Sequence, residues 1–201
     1  MEWTAWDGSW ARGWTGPGEF REVIQIGLLA LRDDDPLTET DATQLLVRPT
    51  LNPTLSDYIT NLTGITQPAL DTEAIDLADA VAATTAFVDG AAAVYSFGRD
   101  GAVLRENCQK VGVPFDIPSD LFRSAIPAIA AYSGGAPERM MSSRLPELIG
   151  FPPPGQAHDA LSDCRCIAET FRIMRRHGAF AMKPETVAIA DDAPFNRRHD
   201  G

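Results

Sequence analysis

The first fifty residues contain three apolar or β-prone stretches, each closed by turn-forming residues. The stretches cover residues 2–6, 22–31 and 44–48, and they end at Asp7-Gly8, at Asp33-Asp34-Asp35-Pro36 and at Pro49. Apolar and aromatic runs bounded by Gly, Pro and Asp are typical of β-strands. Because the connections are short, the pattern predicts an antiparallel meander of three strands.

Beyond residue 50 the apolar positions recur mostly with helical spacing. The predicted helices cover residues 54–61, 72–88, 100–111, roughly 119–132, 143–149 and 160–176. The last of these is the clearest, with Leu161, Cys164, Ala168 and Phe171 along one side. Ala91 to Phe97 is a continuous apolar run that suits a strand buried on both faces. The order of elements predicts an α/β domain over residues 1–177, and residues 178–201 lack periodicity and are predicted to be a loosely held C-terminal tail.

The bulk composition limits the classes of protein that fit. A chain of 201 residues with 44% hydrophobic residues can bury a full core. The net charge of −11 argues against a broad basic surface that grips nucleic acid, although a site that collects cations tolerates acidic surroundings. Without a long apolar run or a signal-like N-terminus, we expect no membrane span and a cytoplasmic location. Cys164 and Cys166 point to different helix faces, which makes a mutual disulfide or zinc site unfavourable.

Asp163 and His158 form the first candidate for chemistry. Asp163 borders the buried stripe of the last helix, where a carboxylate is costly unless it is paired or binds a metal. His158 precedes this helix, after the break at Pro152-Pro153-Pro154-Gly155. A histidine beside a metal-binding aspartate suits a general base that takes a proton from water. The alternative is that His158 and Asp159 cap the helix and Asp163 faces solvent.

Two further aspartates lie at the ends of predicted strands. Asp100 follows the strand at residues 91–97, and Asp7 follows the first strand. Each has a plain structural explanation, since Asp100 can be an N-cap and Asp7-Gly8 can be a hairpin turn. Together with Asp163 and His158, however, they could hold two divalent ions that hydrolyse a phosphodiester.

These residues resemble the motifs of a known family. The stretch from His158 to Asp163 is similar to the third motif of the DEDDh 3′→5′ exonucleases, ribonuclease-H-like enzymes that include polymerase proofreading subunits. Ser96-Phe97-Gly98-Arg99-Asp100 resembles the second motif, and Leu62-Thr63-Gly64-Ile65-Thr66 and Glu22-Val23-Ile24-Gln25-Ile26-Gly27 resemble two further elements. The stretch from Val47-Arg48-Pro49 through Leu55-Ser56 resembles the lead-in seen in the branch that processes histone-mRNA ends and small RNAs. The resemblance implies a mixed five-stranded sheet flanked by helices.

The resemblance also implies roles for individual residues. Asp7, Asp100 and Asp163 would bind two Mg²⁺ or Mn²⁺ ions, and His158 would be the general base. The first family motif is Asp-x-Glu, whereas the chain reads Asp7-Gly8-Ser9, so Ser9 would stand where a glutamate binds metal. If residues 7 and 9 share a strand face, the loss of this carboxylate weakens one metal. A neighbour such as Glu19 or Glu22 could replace it, or Ser9 could hold a ligand water.

The family acts on single-stranded 3′ ends of RNA or DNA and releases nucleoside monophosphates, which predicts such ends or short oligonucleotides as partners. Trp10, Phe97 and Arg99 are candidate substrate contacts, although Trp10 and Phe97 suit an ordinary packing role equally or better. Two alternatives stay open. One is an impaired family member that binds nucleic-acid ends or a protein, and the other is a phosphodiesterase for short oligonucleotides.

Overall fold

The N-terminal part of the chain folds into a three-stranded antiparallel sheet. The computed structural model describes residues 1–136 and 140–180. Strands β1 (Glu2–Trp3), β2 (Val23–Leu31) and β3 (Glu39–Leu46) lie in the order β1-β2-β3 and are antiparallel. The predicted meander is therefore confirmed. Strand β3 begins earlier than predicted because its first residues are polar and exposed, so they carry no apolar signal.

Two shorter strands form a separate parallel ladder. Strand β4 (Val94–Ser96) pairs with β5 (Phe122–Ser124). The sequence placed all strands in one mixed sheet, but among the described residues the five strands fall into two ladders. Strand β1 has only two residues, which leaves few backbone groups for a second ladder. Strand β5 lies inside the predicted helix 119–132, because three residues are too few to show a period.

Eight α-helices surround these strands in the described part of the chain. They are α1 (Ser9–Arg12), α2 (Asp57–Thr63), α3 (Gln67–Glu73), α4 (Leu77–Phe87), α5 (Asp100–Val111), α6 (Ile126–Ser133), α7 (Leu145–Ile149) and α8 (Ala160–Arg176). The predicted helix 72–88 starts only at Leu77, because the extended backbone of Ala74 ends α3 first. None of the described helices is long and apolar enough to cross a membrane. Most of the predicted tail, residues 181–201, lies outside the described residues.

Helix α8 packs directly on strand β2. A Cβ atom at Gly27 would lie 2.5 Å from the backbone carbon of Ala160, so only glycine allows this approach. The thiol of Cys164 also hydrogen-bonds to the Gly27 carbonyl oxygen (3.3 Å). Farther along α8 the buried side chains include Cys166, Ile167, Phe171 and Met174. The predicted apolar side was partly wrong, since Leu161 and Cys164 are only half-buried. This close packing fixes the start of α8 against the sheet.

Candidate active site

Three side chains from distant parts of the sequence converge at the start of α8. Possible ligand atoms of Glu2 on β1, His158 before α8 and Asp163 in its first turns all lie within 4.8 Å of one another. Carboxylate oxygens and imidazole nitrogens are common ligands of divalent metals. The group therefore has the composition and the spacing of a metal site.

Asp163 provides the clearest sign that a cation belongs here. Its Oδ1 atom is buried and, among the described residues, has no hydrogen-bond partner. Its Oδ2 atom accepts a hydrogen bond from the Ser142 hydroxyl at 2.8 Å. Burial raises the pKa of Asp163, and the Ser142 hydrogen bond, the Met1 amino group and His158 oppose this rise. A buried carboxylate oxygen without a partner is costly, and a bound cation would remove that cost.

The surroundings of Glu2 also disfavour the charged form of its carboxyl group. Burial raises the pKa of Glu2 to about 8; repulsion from Asp163 and Asp100 adds to the rise, and the Met1 amino group opposes it. At neutral pH this carboxyl group holds its proton when no cation is present. A divalent ion favours the charged form and would reverse the shift. The carboxyl groups of this site are therefore disfavoured in their charged forms beside one another, and a metal ion would stabilise those charged forms.

Asp100 begins helix α5 and borders the same group. Its Oδ1 atom accepts a hydrogen bond from the Met1 amino group at 3.1 Å, and both side chains are largely buried. Burial lowers the pKa of the Met1 amino group, but the carboxylates of Asp100 and Glu2 outweigh this effect and raise it to about 11. A cationic group thus already lies among these carboxylates.

The entry to α8 separates the roles of two neighbouring residues. Asp159 is the N-cap, and its Oδ1 atom accepts a hydrogen bond from the Ser162 backbone N–H at 2.8 Å. His158 adopts a left-handed backbone conformation with φ of 60° and faces the acidic group. The capping alternative therefore holds for Asp159 alone. Asp163 does not face solvent, and His158 lies beside it.

Asp7 and Ser9 lie differently from what the sequence suggested. Asp7 and Gly8 form a turn, and Ser9 begins helix α1, so the assumption that residues 7 and 9 share a strand face is wrong. Asp7 is exposed, whereas Ser9 is fully buried and its Oγ atom accepts a hydrogen bond from the Trp6 N–H at 2.9 Å. Asp7 does not belong to the group formed around Glu2. Their metal-site roles remain sequence predictions without geometric support.

Sequence reasoning missed Glu2 because it continued the first strand to residue 6. The strand ends at Trp3, so the acidic residue on the strand itself is Glu2. The available signal was only a carboxylate, Glu2, within the β-prone stretch at residues 2–6.

The two glutamates considered as replacements are engaged elsewhere. Glu19 pairs with the Arg12 guanidinium. Glu22 is buried and accepts hydrogen bonds from the backbone N–H groups of Leu51 (2.8 Å) and Asn52 (2.7 Å). Glu22 therefore holds the loop after β3, and neither glutamate reaches the acidic group.

The three candidate substrate contacts occupy different surroundings. Trp10 packs against Trp14, with ring centroids 4.8 Å apart in an edge-to-face arrangement, and against Trp3 at 5.9 Å. Phe97 is half-buried and packs against the main core around α8. Arg99 precedes the first residue of α5. Trp10 and Phe97 thus have structural roles, and contact with substrate remains a prediction for all three.

The fold is that of a nuclease. A structure described as the nuclease domain of 3′hExo, a DEDDh family member, bound to rAMP, superimposes with a TM-score of 0.74 at 22% identity, over 89% of this chain and 90% of that one. A 3′-exonuclease described in 3′-end-specific recognition of histone mRNA stem-loop matches with a TM-score of 0.73 and 21% identity, over 89% and 80%. The structure of cell-death related nuclease 4 (CRN-4) matches with a TM-score of 0.66 at 20% identity, over 89% of this chain and 62% of that one.

A family model matched to the sequence identifies the family to which this chain belongs. The family model RNase_T, described as an exonuclease, matches residues 14–171. This chain therefore belongs to the RNase_T exonuclease family, and its α/β fold is similar to that of a DEDDh nuclease domain, as its motifs led us to expect. No curated protein matches the chain.

Proposed function

We propose that this protein is a metal-dependent 3′→5′ exonuclease that releases nucleoside monophosphates from single-stranded RNA or DNA. The observation that carries the proposal is the convergence of Glu2, His158 and Asp163, with a buried, unpartnered Asp163 oxygen. Family membership supports the nuclease activity. The similar structures bound to rAMP and to a histone mRNA stem-loop support a 3′ end as the substrate.

Glu2 and Asp163 would hold Mg²⁺ or Mn²⁺, with Asp100 at the border of the site. The ions would supply activation of water and stabilisation of the leaving oxygen of the phosphodiester. Asp163 presents Oδ1 to the group while Ser142 holds Oδ2, so one oxygen is oriented and the other is available. A ring nitrogen of His158 would take the proton of the attacking water, since it lies within 4.8 Å of carboxylate oxygens of Glu2 and Asp163.

We assign the glutamate of the Asp-x-Glu motif to Glu2 in place of Ser9. The test compares Glu2→Gln with Ser9→Ala: the first should weaken Mn²⁺ binding and the second should leave it unchanged. Equal Mn²⁺ affinity in the two variants would contradict this placement of the motif.

The activity is tested with single-stranded RNA and DNA carrying a label at the 5′ or the 3′ end, incubated with Mg²⁺ or Mn²⁺. The proposal predicts a ladder of shortened 5′-labelled products and immediate release of a labelled mononucleotide from the 3′-labelled strand. Asp163→Ala and Glu2→Gln should lower the rate at least about a hundredfold, whereas Asp7→Asn should leave it unchanged. Equal rates for wild type and Asp163→Ala under both metals would refute the enzyme proposal.

One observation favours a second candidate, an end-binding module that does not cleave. Because burial raises the pKa of Glu2 to about 8, this carboxyl group holds a proton at neutral pH that a metal ion must displace. In that case fluorescence anisotropy would show oligonucleotide binding without turnover at neutral pH. Cleavage that appears at pH 8.5 would instead support the exonuclease.

A further inference from the structure

The first turn of α8 is held by side chains of the sheet. The first backbone N–H groups of a helix have no partner within the helix. In this protein the N–H of Ala160 donates to Gln25 Oε1 (2.9 Å) on β2, and the N–H of Leu161 donates to Gln44 Oε1 (3.0 Å) on β3. Two glutamines from two strands thus satisfy two consecutive donors at the start of the helix.

Gln44 makes a second contact at the same place. Its Nε2 atom donates to Asp159 Oδ2 at 2.8 Å, while Oδ1 of the same carboxylate caps the Ser162 N–H. The amide of Gln44 therefore binds both the N-cap and the first turn. Because Asp159 directly follows His158, this contact also restrains the segment that carries the histidine.

Gln25 links the helix to the strand that carries Glu2. Glu2 and Gln25 are paired residues in the β1–β2 register, and Gln25 is only 5% exposed. The approach of Gly27 to the backbone of Ala160 leaves no room for the helix to slide toward β2. The distance between Glu2 and Asp163 is therefore set through Gln25 and the first turn of α8.

We propose that Gln25 and Gln44 are positioning residues that fix His158 and Asp163 of α8 relative to Glu2 of β1. This inference rests on the proposed function, since it assigns the two amides to the geometry of that metal site. Both act through the backbone and the N-cap of α8.

The hydrogen bond between Gln44 and Asp159 can be reversed without removing either partner. In Gln44→Glu the side chain still accepts from Leu161, but it now faces a second carboxylate. In Asp159→Asn the cap still accepts from Ser162, but its new amide faces the Gln44 amide. The double variant restores one donor facing one acceptor. Glu39→Ala is the control, because it removes a different β3–α8 contact, the ion pair with Arg165 (2.9 Å).

The measurements are kcat and KM for a labelled single-stranded RNA, the Kd for Mn²⁺ by calorimetry, and the melting temperature. We expect each single variant to lose about tenfold in kcat and in Mn²⁺ affinity, as is usual for groups that orient metal ligands. The double variant should recover most of both, with KM nearly constant throughout. Glu39→Ala should match wild type, and Gln25→Met should behave like the single variants.

The outcomes separate this inference from the proposed function. An active wild type with unchanged kcat and Mn²⁺ Kd in all variants would overturn the inference and leave the function standing. A wild type that binds Mn²⁺ without cleaving would refute the proposed function. The Mn²⁺ affinities would then decide the positioning inference. Loss of affinity in the single variants with recovery in the double variant would support it, whereas equal affinities would overturn it. A wild type that binds no Mn²⁺ would refute both.

Discussion

The most informative perturbation is Glu2→Gln, because Glu2 is a buried acid whose pKa lies far from its ordinary value. Burial and the neighbouring carboxylates raise this pKa to about 8 from its ordinary value of 4.5. The folded protein thus retains a proton that the unfolded chain releases above pH 4.5. Stability from this group is fully present below pH 4.5 and is lost as the pH rises through about 8.

The size of the effect follows from the width of that window. Each pH unit between the unfolded and the folded pKa costs about 1.4 kcal/mol of unfolding free energy. Between pH 5 and pH 8 the wild type should therefore lose about 4 kcal/mol relative to Glu2→Gln, which has no carboxyl group to titrate. Bound Mn²⁺ should instead stabilise the wild type more than Glu2→Gln, because only the carboxylate of the wild type binds the ion well.

The assay is urea unfolding of both proteins at pH 5, 6, 7 and 8, once with EDTA and once with Mn²⁺. Asp7→Asn is the control, since Asp7 is exposed and outside the group. A difference between wild type and Glu2→Gln that stays constant within about 1 kcal/mol from pH 5 to pH 8 would refute the reasoning. So would an equal stabilisation of the two proteins by Mn²⁺.

Three further substitutions test neighbouring parts of the structure. Ser142→Ala removes the hydrogen-bond donor to Asp163, so the pKa of Asp163 should rise further and the Mn²⁺ affinity at pH 6.5 should fall about tenfold in calorimetry. Ser143→Ala is the matched control. Equal Mn²⁺ affinities in the two variants would contradict the role of Ser142. Asn107→Leu leaves the buried Val23 N–H without its acceptor at 2.9 Å and should lower the unfolding free energy by about 2–4 kcal/mol, measured with urea; a loss below about 1 kcal/mol would be inconsistent with this. Ser9→Glu places a charge at a fully buried position and should lower the melting temperature without improving Mn²⁺ binding, whereas a gain in affinity would revive the metal-site role of residue 9.

The sequence predicted elements well where the local pattern is long. Helices α5 and α8 begin and end where their spacing placed them, because twelve and seventeen residues show a clear period. Strand β5 has three residues and shows none, so its pairing with β4 depends on contacts with a distant part of the chain. The division of the strands into two ladders depends on such contacts as well.

The candidate site shows the same division. His158 and Asp163 were found because both belong to one short motif at the start of a periodic helix. Glu2 was missed because nothing in the local pattern of residues 2–6 shows where β1 ends. Its burial and its approach to Asp163 depend on pairing with Gln25 and on the packing of α8 against β2.

The acidic surface and the acidic site require different explanations. The net charge of −11 comes from the whole chain, whereas the acids of the site act through burial and proximity. Burial raises the pKa of both Glu2 and Asp163, so without a cation this part of the fold disfavours the ionised forms of the two carboxyl groups. A carboxylate pair that is destabilised without a cation gains most when the cation binds, so the same burial that weakens the metal-free protein would favour metal binding. Gln25 and Gln44 matter for the same reason, because a site that contains close like charges also depends on the groups that hold those charges in place.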